Sequence, residues 1–196
     1  MTTGNEALMR ASEAFDRLDT YSVTIRSEGE DREEIRYFFK KPGWVRMEFE
    51  EPHKGAVLVY NPETRRVKLR PFAYFKSFLL DLSPEDRLIR SSKGHTVDES
   101  HIGALLENVR RLSEAGEARL LGDESVNGRD ALVLEVIGEE GKEADGVHRY
   151  VIWLDKRLLL PIKAVAYGPG GEKTEDVDMT DIETGRDLDP DLFDLK

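Results

Sequence analysis

Short runs of alternating apolar and polar residues, separated by turn residues, occupy both ends of the sequence. Tyr21, Val23 and Ile25 alternate with polar residues, and further short strand-like runs follow, each after a turn, as far as Arg70. A period of two is typical of a β-strand, and tight turns join antiparallel neighbours. The first part of the chain therefore predicts an antiparallel meander.

Helical patterns flank and interrupt these runs. Residues 5–18 place apolar side chains at helical spacing, with Asn5 as the predicted N-cap. Residues 72–82 are apolar around the whole circumference of a helix, and Thr96 begins a capping box ahead of an amphipathic helix. Five more strand-like runs follow between residues 118 and 182. The total is about ten strands with a helical insert near the centre.

Three of the predicted strands are apolar on both faces, at residues 56–60, 132–137 and 150–154. An antiparallel sheet with one wet face alternates cleanly, so these strands need cover on both sides. A curved sheet wrapped around a helix at residues 72–82 would supply that cover. The packing then leaves either an apolar cavity or an ordinary filled core, and the pattern fits both.

The balance of charged residues limits the classes of function. Acidic residues outnumber basic ones by 40 to 29, which gives a formal net charge of −11. Binding to DNA or RNA needs a basic stripe that faces the phosphates, so we expect no nucleic-acid partner. The length of 196 residues and a hydrophobic fraction of 39% fit one domain over residues 1–196, which we expect to be a monomer.

No group of residues predicts catalysis or metal binding. The chain has no cysteine, which excludes disulfides and thiolate metal sites. His95 and His101 could hold a metal with Asp98 and Glu99, but their separation matches no helical ligand pair. The favoured interpretation is that these two acids stabilise the first turn of a helix. With no serine-nucleophile or phosphate-loop motif either, we predict no enzyme, no cofactor and no metal site.

Two basic features each allow two interpretations. Arg46 shares a strand face with Trp44 and Glu48, so it could form a surface pair with Glu48. It could instead point inward and hold backbone carbonyls, or an acid of the helical insert, as a latch. The basic run at residues 65–70 fits the wet face of an edge strand, or a patch that meets anionic head groups.

The order of these elements, together with two short motifs, resembles the LolA/LolB-like superfamily of periplasmic lipoprotein carriers. Residues 41–52 begin with Lys-Pro and continue to Arg46 and Pro52, similar to the K-P-x-x-x-R segment of that family. Residues 181–193 begin with Asp-Ile and end with Leu-Phe, similar to its closing strand and tail, although Gly185 stands where Asn is usual. The segment at residues 91–98 looks more like an uncharacterised branch than the typical carrier.

The resemblance implies an α+β fold, in which a curved antiparallel β-sheet, or half-open β-barrel, of about ten strands has helices forming a lid over its concave face. An apolar cavity under the lid would make the protein a non-enzymatic carrier for lipids or lipoprotein acyl chains. Arg46 matches the family arginine that latches the lid. The candidate lining residues are Tyr37, Phe39, Trp44, Leu58, Tyr60, Phe72, Phe75, Phe78, Leu79 and Trp153.

The resemblance also implies a periplasmic location. The first residues lack the basic and apolar regions of a secretory signal, so a signal peptide would be absent from this sequence, or the protein is cytoplasmic. No apolar run approaches the ~18 residues of a membrane-spanning helix. A second hypothesis keeps the fold but fills its core, as in RseB-like regulators. Such a module would bind an envelope membrane-protein partner and sense envelope stress.

Overall fold

The computed structural model describes residues 3–28, 32–74, 77–91 and 94–196. It contains two α-helices, eleven β-strands and two short 3-10 helices in these residues. The helices are α1 (Gly4–Asp16) and α2 (Ile102–Glu114), with 3-10 turns at Val97–Glu99 and Pro190–Phe193. The strands are β1 (Thr20–Ser27), β2 (Glu33–Lys40), β3 (Trp44–Glu51), β4 (Val57–Asn61), β5 (Arg66–Arg70), β6 (Leu80–Leu82), β7 (Gly116–Val126), β8 (Arg129–Gly138), β9 (Arg149–Asp155), β10 (Pro161–Tyr167) and β11 (Lys173–Thr184).

All eleven strands belong to one sheet, whose hydrogen-bonded order is β6-β5-β4-β3-β2-β1-β11-β10-β9-β8-β7. The order runs through neighbours in sequence on each side of the β1–β11 pair, as expected for strands joined by tight turns. The predicted α+β class with an antiparallel sheet is confirmed, with eleven strands where about ten were expected.

Contacts divide the chain into two compact units. The first unit comprises Met1–Arg17, Ser27–Glu30 and Ile102–Thr180, and the second comprises Leu18–Arg26, Asp31–His101 and Asp181–Lys196. In the first unit, α1 and α2 pack against each other and against β7 and β8. Their buried faces are apolar and follow the helical period, so burial of these stripes stabilises both helices. The buried residues are Ala7, Leu8, Ala11 and Phe15 of α1, and Ile102, Leu106, Val109 and Leu112 of α2.

Both predicted helix starts are shifted in the structure. Thr3, not Asn5, is the N-cap of α1: its hydroxyl accepts from the Glu6 N–H, and the Glu6 carboxylate accepts from the Thr3 N–H. This complete capping box satisfies two backbone donors at once, which a cap at Asn5 would leave unpaired. Thr96 begins only the 3-10 turn at Val97–Glu99, without a side-chain cap bond, and α2 starts later at Ile102.

The predicted apolar helix at residues 72–82 is wrong for the part that the structure describes. Residues 71–74 and 77–79 form loop and turn, and Leu80–Leu82 is strand β6. Strand β6 pairs with β5, which places Leu82 opposite Val67 and puts Asp81 beside the cationic residues of that strand. Sheet pairing therefore overrides the helical pattern. Residues 83–91, which follow β6, form turns and bends.

Strand β7 is the last strand in the order and the longest edge. Its eleven residues pair with β8, and the register shifts between Leu120 and Gly122. Leu121 is the extra residue at this bulge and is 56% exposed, while Gly122 has a φ of 130° that other residues rarely adopt.

No helix among the described residues has the length and apolar character that a membrane span requires.

Candidate apolar binding site

Four of the predicted lining residues share one face of the second unit. They are Tyr37, Phe39, Leu58 and Tyr60, and each is at most 6% exposed. The two β2 residues have partners on β3, and the same β3 residues are also the partners of the two β4 residues. Residues directly opposite one another point to the same side of a sheet, so all four side chains share one face. We call this surface of β1–β6 the aromatic face.

Aromatic rings are packed on this face in direct contact. The ring centroid of Tyr21 lies 5.1 Å from that of Phe39 and 6.0 Å from that of Tyr37, with nearly parallel planes. The imidazole of His101 lies 5.3 Å from the Phe39 ring. The aromatic face is thus closed by the protein's own side chains in this conformation.

The closure comes from residues 94–101, which we call the cover segment. Val97, at 3% exposed, is the one fully buried apolar residue of this segment. The Ser100 hydroxyl donates to the Val97 carbonyl at 2.6 Å and lies 3.0 Å from the Tyr37 hydroxyl. Because Ser100 uses its only proton on Val97, Tyr37 is the donor between the two hydroxyls. A single apolar anchor and polar contacts therefore hold the cover segment.

Burial keeps the tyrosines of this face neutral. Loss of hydration raises the pKa of Tyr37 well above its ordinary value, although hydrogen bonds with Ser100 and Tyr21 partly oppose this. Burial also raises the pKa of Tyr60, and the nearby negative charge of Asp98 adds to it. One carboxylate oxygen of Asp98 is buried without a hydrogen-bond partner. Such a group costs about 1–3 kcal/mol, so the closed cover segment carries a local penalty.

His101 makes closure of the cover segment dependent on pH. Burial lowers the pKa of His101 below its ordinary value of 6.5, while Asp98 pulls this pKa upward. The closed form therefore binds this proton less readily than the open form does. Closure is fully stabilised above the ordinary pKa and weakens as pH falls from there towards the lowered pKa.

We therefore expect amide exchange at residues 97–101 to speed up relative to β4 when pH is lowered from about 7.5 to about 5.5, after correction for intrinsic rates. His101→Gln should remove the pH-dependent part of this difference, because glutamine keeps a polar side chain without titrating. Hydrogen exchange detected by mass spectrometry measures these exchange rates. An unchanged pH dependence in His101→Gln would contradict the assignment.

The opposite face of the same strands is covered by residues 188–195, which we call the tail. The Trp44 ring lies 6.0 Å from the Phe193 ring, and Val57 and Val59 pack with Phe193 and Leu195. Trp44 therefore lies on the face opposite to Tyr37 and Phe39, although all three belong to the predicted lining set. Alternation along β3 separates them.

Arg46 also points to the tail face. Its guanidinium donates to the Leu192 carbonyl at 2.8 Å and to the Glu48 carboxylate at 2.8 Å, and the side chain is 13% exposed. Both sequence interpretations are thus partly visible, because Arg46 pairs with Glu48 along the same strand and also donates to a backbone carbonyl. The carbonyl belongs to the tail rather than to the loop at residues 72–82. A latch on a lid stays a prediction.

The other predicted lining residues lie elsewhere. Phe72 and Phe78 are 56% and 49% exposed, and Leu79 packs with the cluster on the tail face. Trp153 lies in the first unit, where its indole N–H donates to Glu124 at 2.7 Å. Phe75 lies outside the described residues.

Sequence reasoning missed the residues that close the aromatic face: Tyr21, Val97, Ser100 and His101. Tyr21 was visible as an apolar position of β1, but nothing local indicates its stacking partners. Ser100 and His101 are polar, and only their spatial proximity to β2 reveals them. Within the described ranges, no group of three or more metal-ligating side chains is present.

Comparison with solved structures identifies the fold. An uncharacterised conserved protein from Thermus thermophilus matches with a TM-score of 0.58 and 14% identity, over 97% of this chain and 91% of that one. The lipoprotein LppX of Mycobacterium tuberculosis matches with a TM-score of 0.55 and 12% identity, over 93% and 97%. MucB in the Pseudomonas aeruginosa MucA/MucB complex matches at 0.53 and 19%, over 97% of this chain and 60% of the other. No curated protein matches the chain.

These likenesses show that the chain shares its fold with LppX and MucB. Together with the family match that follows, they confirm the predicted LolA-like fold. Residues 81–194, more than half of the chain, match the MucB/RseB N-terminal domain. The chain therefore belongs to the MucB/RseB N-terminal domain family.

Proposed function

We propose that this chain is a non-enzymatic periplasmic binding protein that takes up the acyl chain of a lipid or lipoprotein on the aromatic face. The observation that carries the proposal is an aromatic face closed by one short segment with a single buried apolar anchor. Two features support the proposal, an apolar wall on paired strands and a short cover that few contacts hold in place.

The energetics favour exchange between the cover segment and an acyl chain. Each buried methylene contributes about 0.8 kcal/mol, so about eight of them contribute about 6 kcal/mol. Opening exposes Val97, which costs about 1.5–3 kcal/mol, and breaks the Tyr37–Ser100 hydrogen bond, which costs about 1 kcal/mol. Opening also rehydrates the unpartnered oxygen of Asp98. A single chain of ordinary length therefore outweighs the closed cover.

Weakening the cover provides the test, because it predicts tighter rather than weaker binding. Ser100→Ala removes the acceptor of Tyr37 and should destabilise only the closed form. A loss of about 1 kcal/mol there raises the apparent affinity for an acyl chain about fivefold, since the closed form competes with the ligand. Titration with a fluorescent fatty acid measures this, and Tyr37→Phe should act in the same direction.

Ser113→Ala is the matched control. Ser113 lies on α2 in the first unit, and its hydroxyl donates to a backbone carbonyl, as that of Ser100 does. Its replacement should leave fatty-acid affinity unchanged. Equal affinities for wild type, Ser100→Ala and Ser113→Ala would contradict a removable cover. Partly unfolded protein also binds apolar dyes, so thermal unfolding by circular dichroism must show that each variant keeps a cooperative transition like that of wild type.

The alternative function is an envelope-stress sensor or interaction module that binds a membrane-protein partner and keeps the aromatic face filled. Membership of the MucB/RseB family supports it, as does the fold shared with a MucB structure solved in complex with MucA. Native mass spectrometry of protein purified without detergent separates the two. Co-purified lipid favours the carrier. The module is favoured if neither this experiment nor fatty-acid titration detects lipid binding and one stable protein partner is found.

A further inference from the structure

The connection between β5 and β6 exposes an unusual concentration of large apolar side chains. Phe72, Tyr74 and Phe78 are 56%, 96% and 49% exposed. The other large apolar residues that are exposed among the described residues, Met9, Leu88 and Leu121, lie singly in other parts of the sequence. Single exposed apolar residues are normal, but three within seven residues indicate a contact surface.

One residue of this loop, Ala73, is held against the turn between β3 and β4. Ala73 lies directly against Gly55 in the turn between β3 and β4, so closely that a side chain at Gly55 would collide with it. Gly55 also has a φ of 82°, which favours glycine. The close approach holds the backbone at Ala73 while the neighbouring ring of Tyr74 stays in water.

The strands that present this loop carry charge opposite to that of the rest of the chain. Residues 54–82 contain six Lys and Arg and two Asp and Glu, a net charge of +4 in a chain of −11. Lys54, Arg65, Arg66 and Lys68 are exposed. Of these, Arg66 is paired with Asp81 at 2.6 Å. The guanidinium Nε of Arg70, next to the loop, is buried without a hydrogen-bond partner.

We propose that this surface, formed by the rings of Phe72, Tyr74 and Phe78 with the basic side chains of β5 and Lys54, docks the protein on a bilayer surface that contains anionic phospholipids. Aromatic rings with a polar tip, such as Tyr74, prefer the boundary between head groups and acyl chains. Basic side chains beside them are attracted by anionic head groups. The local positive charge also turns this side of an acidic protein towards such a membrane.

The exposure of Tyr74 fits a bilayer better than it fits a protein partner. Tyr74 is almost fully exposed, so it can enter a head-group layer without displacing neighbouring side chains. The proposal does not depend on acyl-chain binding at the aromatic face. The prediction of vesicle binding can therefore be wrong while that of fatty-acid binding is right, and the reverse.

Co-sedimentation of the full chain with vesicles tests the proposal. Vesicles of equal parts phosphatidylglycerol and phosphatidylcholine should bind the protein, whereas pure phosphatidylcholine should bind it at least about tenfold more weakly. Added salt should weaken binding to the anionic vesicles, because it screens the basic side chains.

Two sets of variants separate the apolar and the charged contributions. Tyr74→Ser/Phe78→Ser should weaken partition to anionic vesicles about tenfold. Lys68→Gln should weaken it about fivefold, the effect of one basic residue near the surface. Tyr74→Ser alone guards against misfolding, since this side chain makes almost no contact with the fold. Thermal unfolding by circular dichroism verifies that each variant is folded.

The matched controls lie in the first unit. Leu121→Ser removes an equally exposed apolar side chain, and Arg17→Gln removes an exposed basic one. Both should partition like wild type. Absence of binding to anionic vesicles overturns the proposal, as does binding that Tyr74→Ser/Phe78→Ser and Leu121→Ser reduce equally. A protein partner captured only by wild type, without vesicle binding, also overturns it and assigns the loop to that partner.

Discussion

Replacing Ile152 by alanine should lower the free energy of unfolding by about 2–5 kcal/mol, whereas replacing its neighbour Trp153 should cost only about 1 kcal/mol. Ile152 is fully buried and lies between Leu134 and Ala164 on the adjacent strands. Trp153 points to the other face of β9 and donates to the exposed Glu124. If the size of the side chain alone decided the loss of stability, Trp153→Ala would cost more than Ile152→Ala. The comparison therefore tests the register of the sheet.

Urea denaturation followed by circular dichroism measures both changes, since the Trp153 variant alters the fluorescence signal. Equal slopes of the free energy against urea concentration indicate that the variants unfold from comparable native states. A larger loss for Trp153→Ala than for Ile152→Ala would show that the indole is the core residue of this strand.

Replacing Arg46 by leucine should weaken the docking of the tail on strands β3 and β4. The bond to the Leu192 carbonyl is charge-assisted and largely shielded from water, and such bonds contribute about 1.5–3 kcal/mol. That loss shifts the docked and undocked populations of the tail more than tenfold. Hydrogen exchange at residues 188–195 should accelerate accordingly, while the strands on the aromatic face keep their protection.

Arg66→Leu is the control for this change. Arg66 likewise donates to a carboxylate and to a backbone carbonyl, both of Asp81, but its side chain is 48% exposed. Exposed pairs contribute little, so exchange at residues 188–195 should stay at the wild-type rate. If Arg46→Leu also leaves that rate unchanged, the apolar contacts of Phe193 and Leu195 hold the tail without help from Arg46.

Much of the sheet could be predicted from local pattern. Alternation in residues 21–70 and turn residues between the runs predict strands whose bounds match β1 to β5 closely. The strand at residues 56–60 is apolar on both faces, which predicts cover on both sides. The structure supplies it, since the tail packs on Val57 and Val59, while the cover segment lies over the face that carries Leu58 and Tyr60.

The identity of those covers could not be predicted, because both come from distant parts of the sequence. The tail holds three aspartates, and its three leucines and one phenylalanine have no period that indicates a target strand. Alternation divides β3 correctly into a face with Trp44 and Arg46 and a face with Val45. It does not indicate which face meets which cover. The predicted lining set therefore included both Trp44 and Tyr37, which lie on opposite faces.

The wrong prediction of a helix at residues 72–82 has a related cause. An apolar run of this length fits a buried helix or a loop that ends in a short strand, and periodicity alone cannot separate them. Pairing with β5 decides between them through contacts such as Leu80 with Leu69. The rings of Phe72 and Phe78 remain exposed, which apolar composition alone would not suggest.

The bulged edge strand β7 has a consequence for how the protein behaves at high concentration. A long, flat edge invites pairing with the edge of another copy, the first step of aggregation. Here the bulge at Leu121 interrupts the regular spacing of backbone groups, and three acids, Glu117, Asp123 and Glu124, against the single base Arg119 leave a net negative charge along the strand. Two copies therefore repel each other along this edge. Concentrated samples should stay clear at low salt, and cloud first when added salt screens this negative charge.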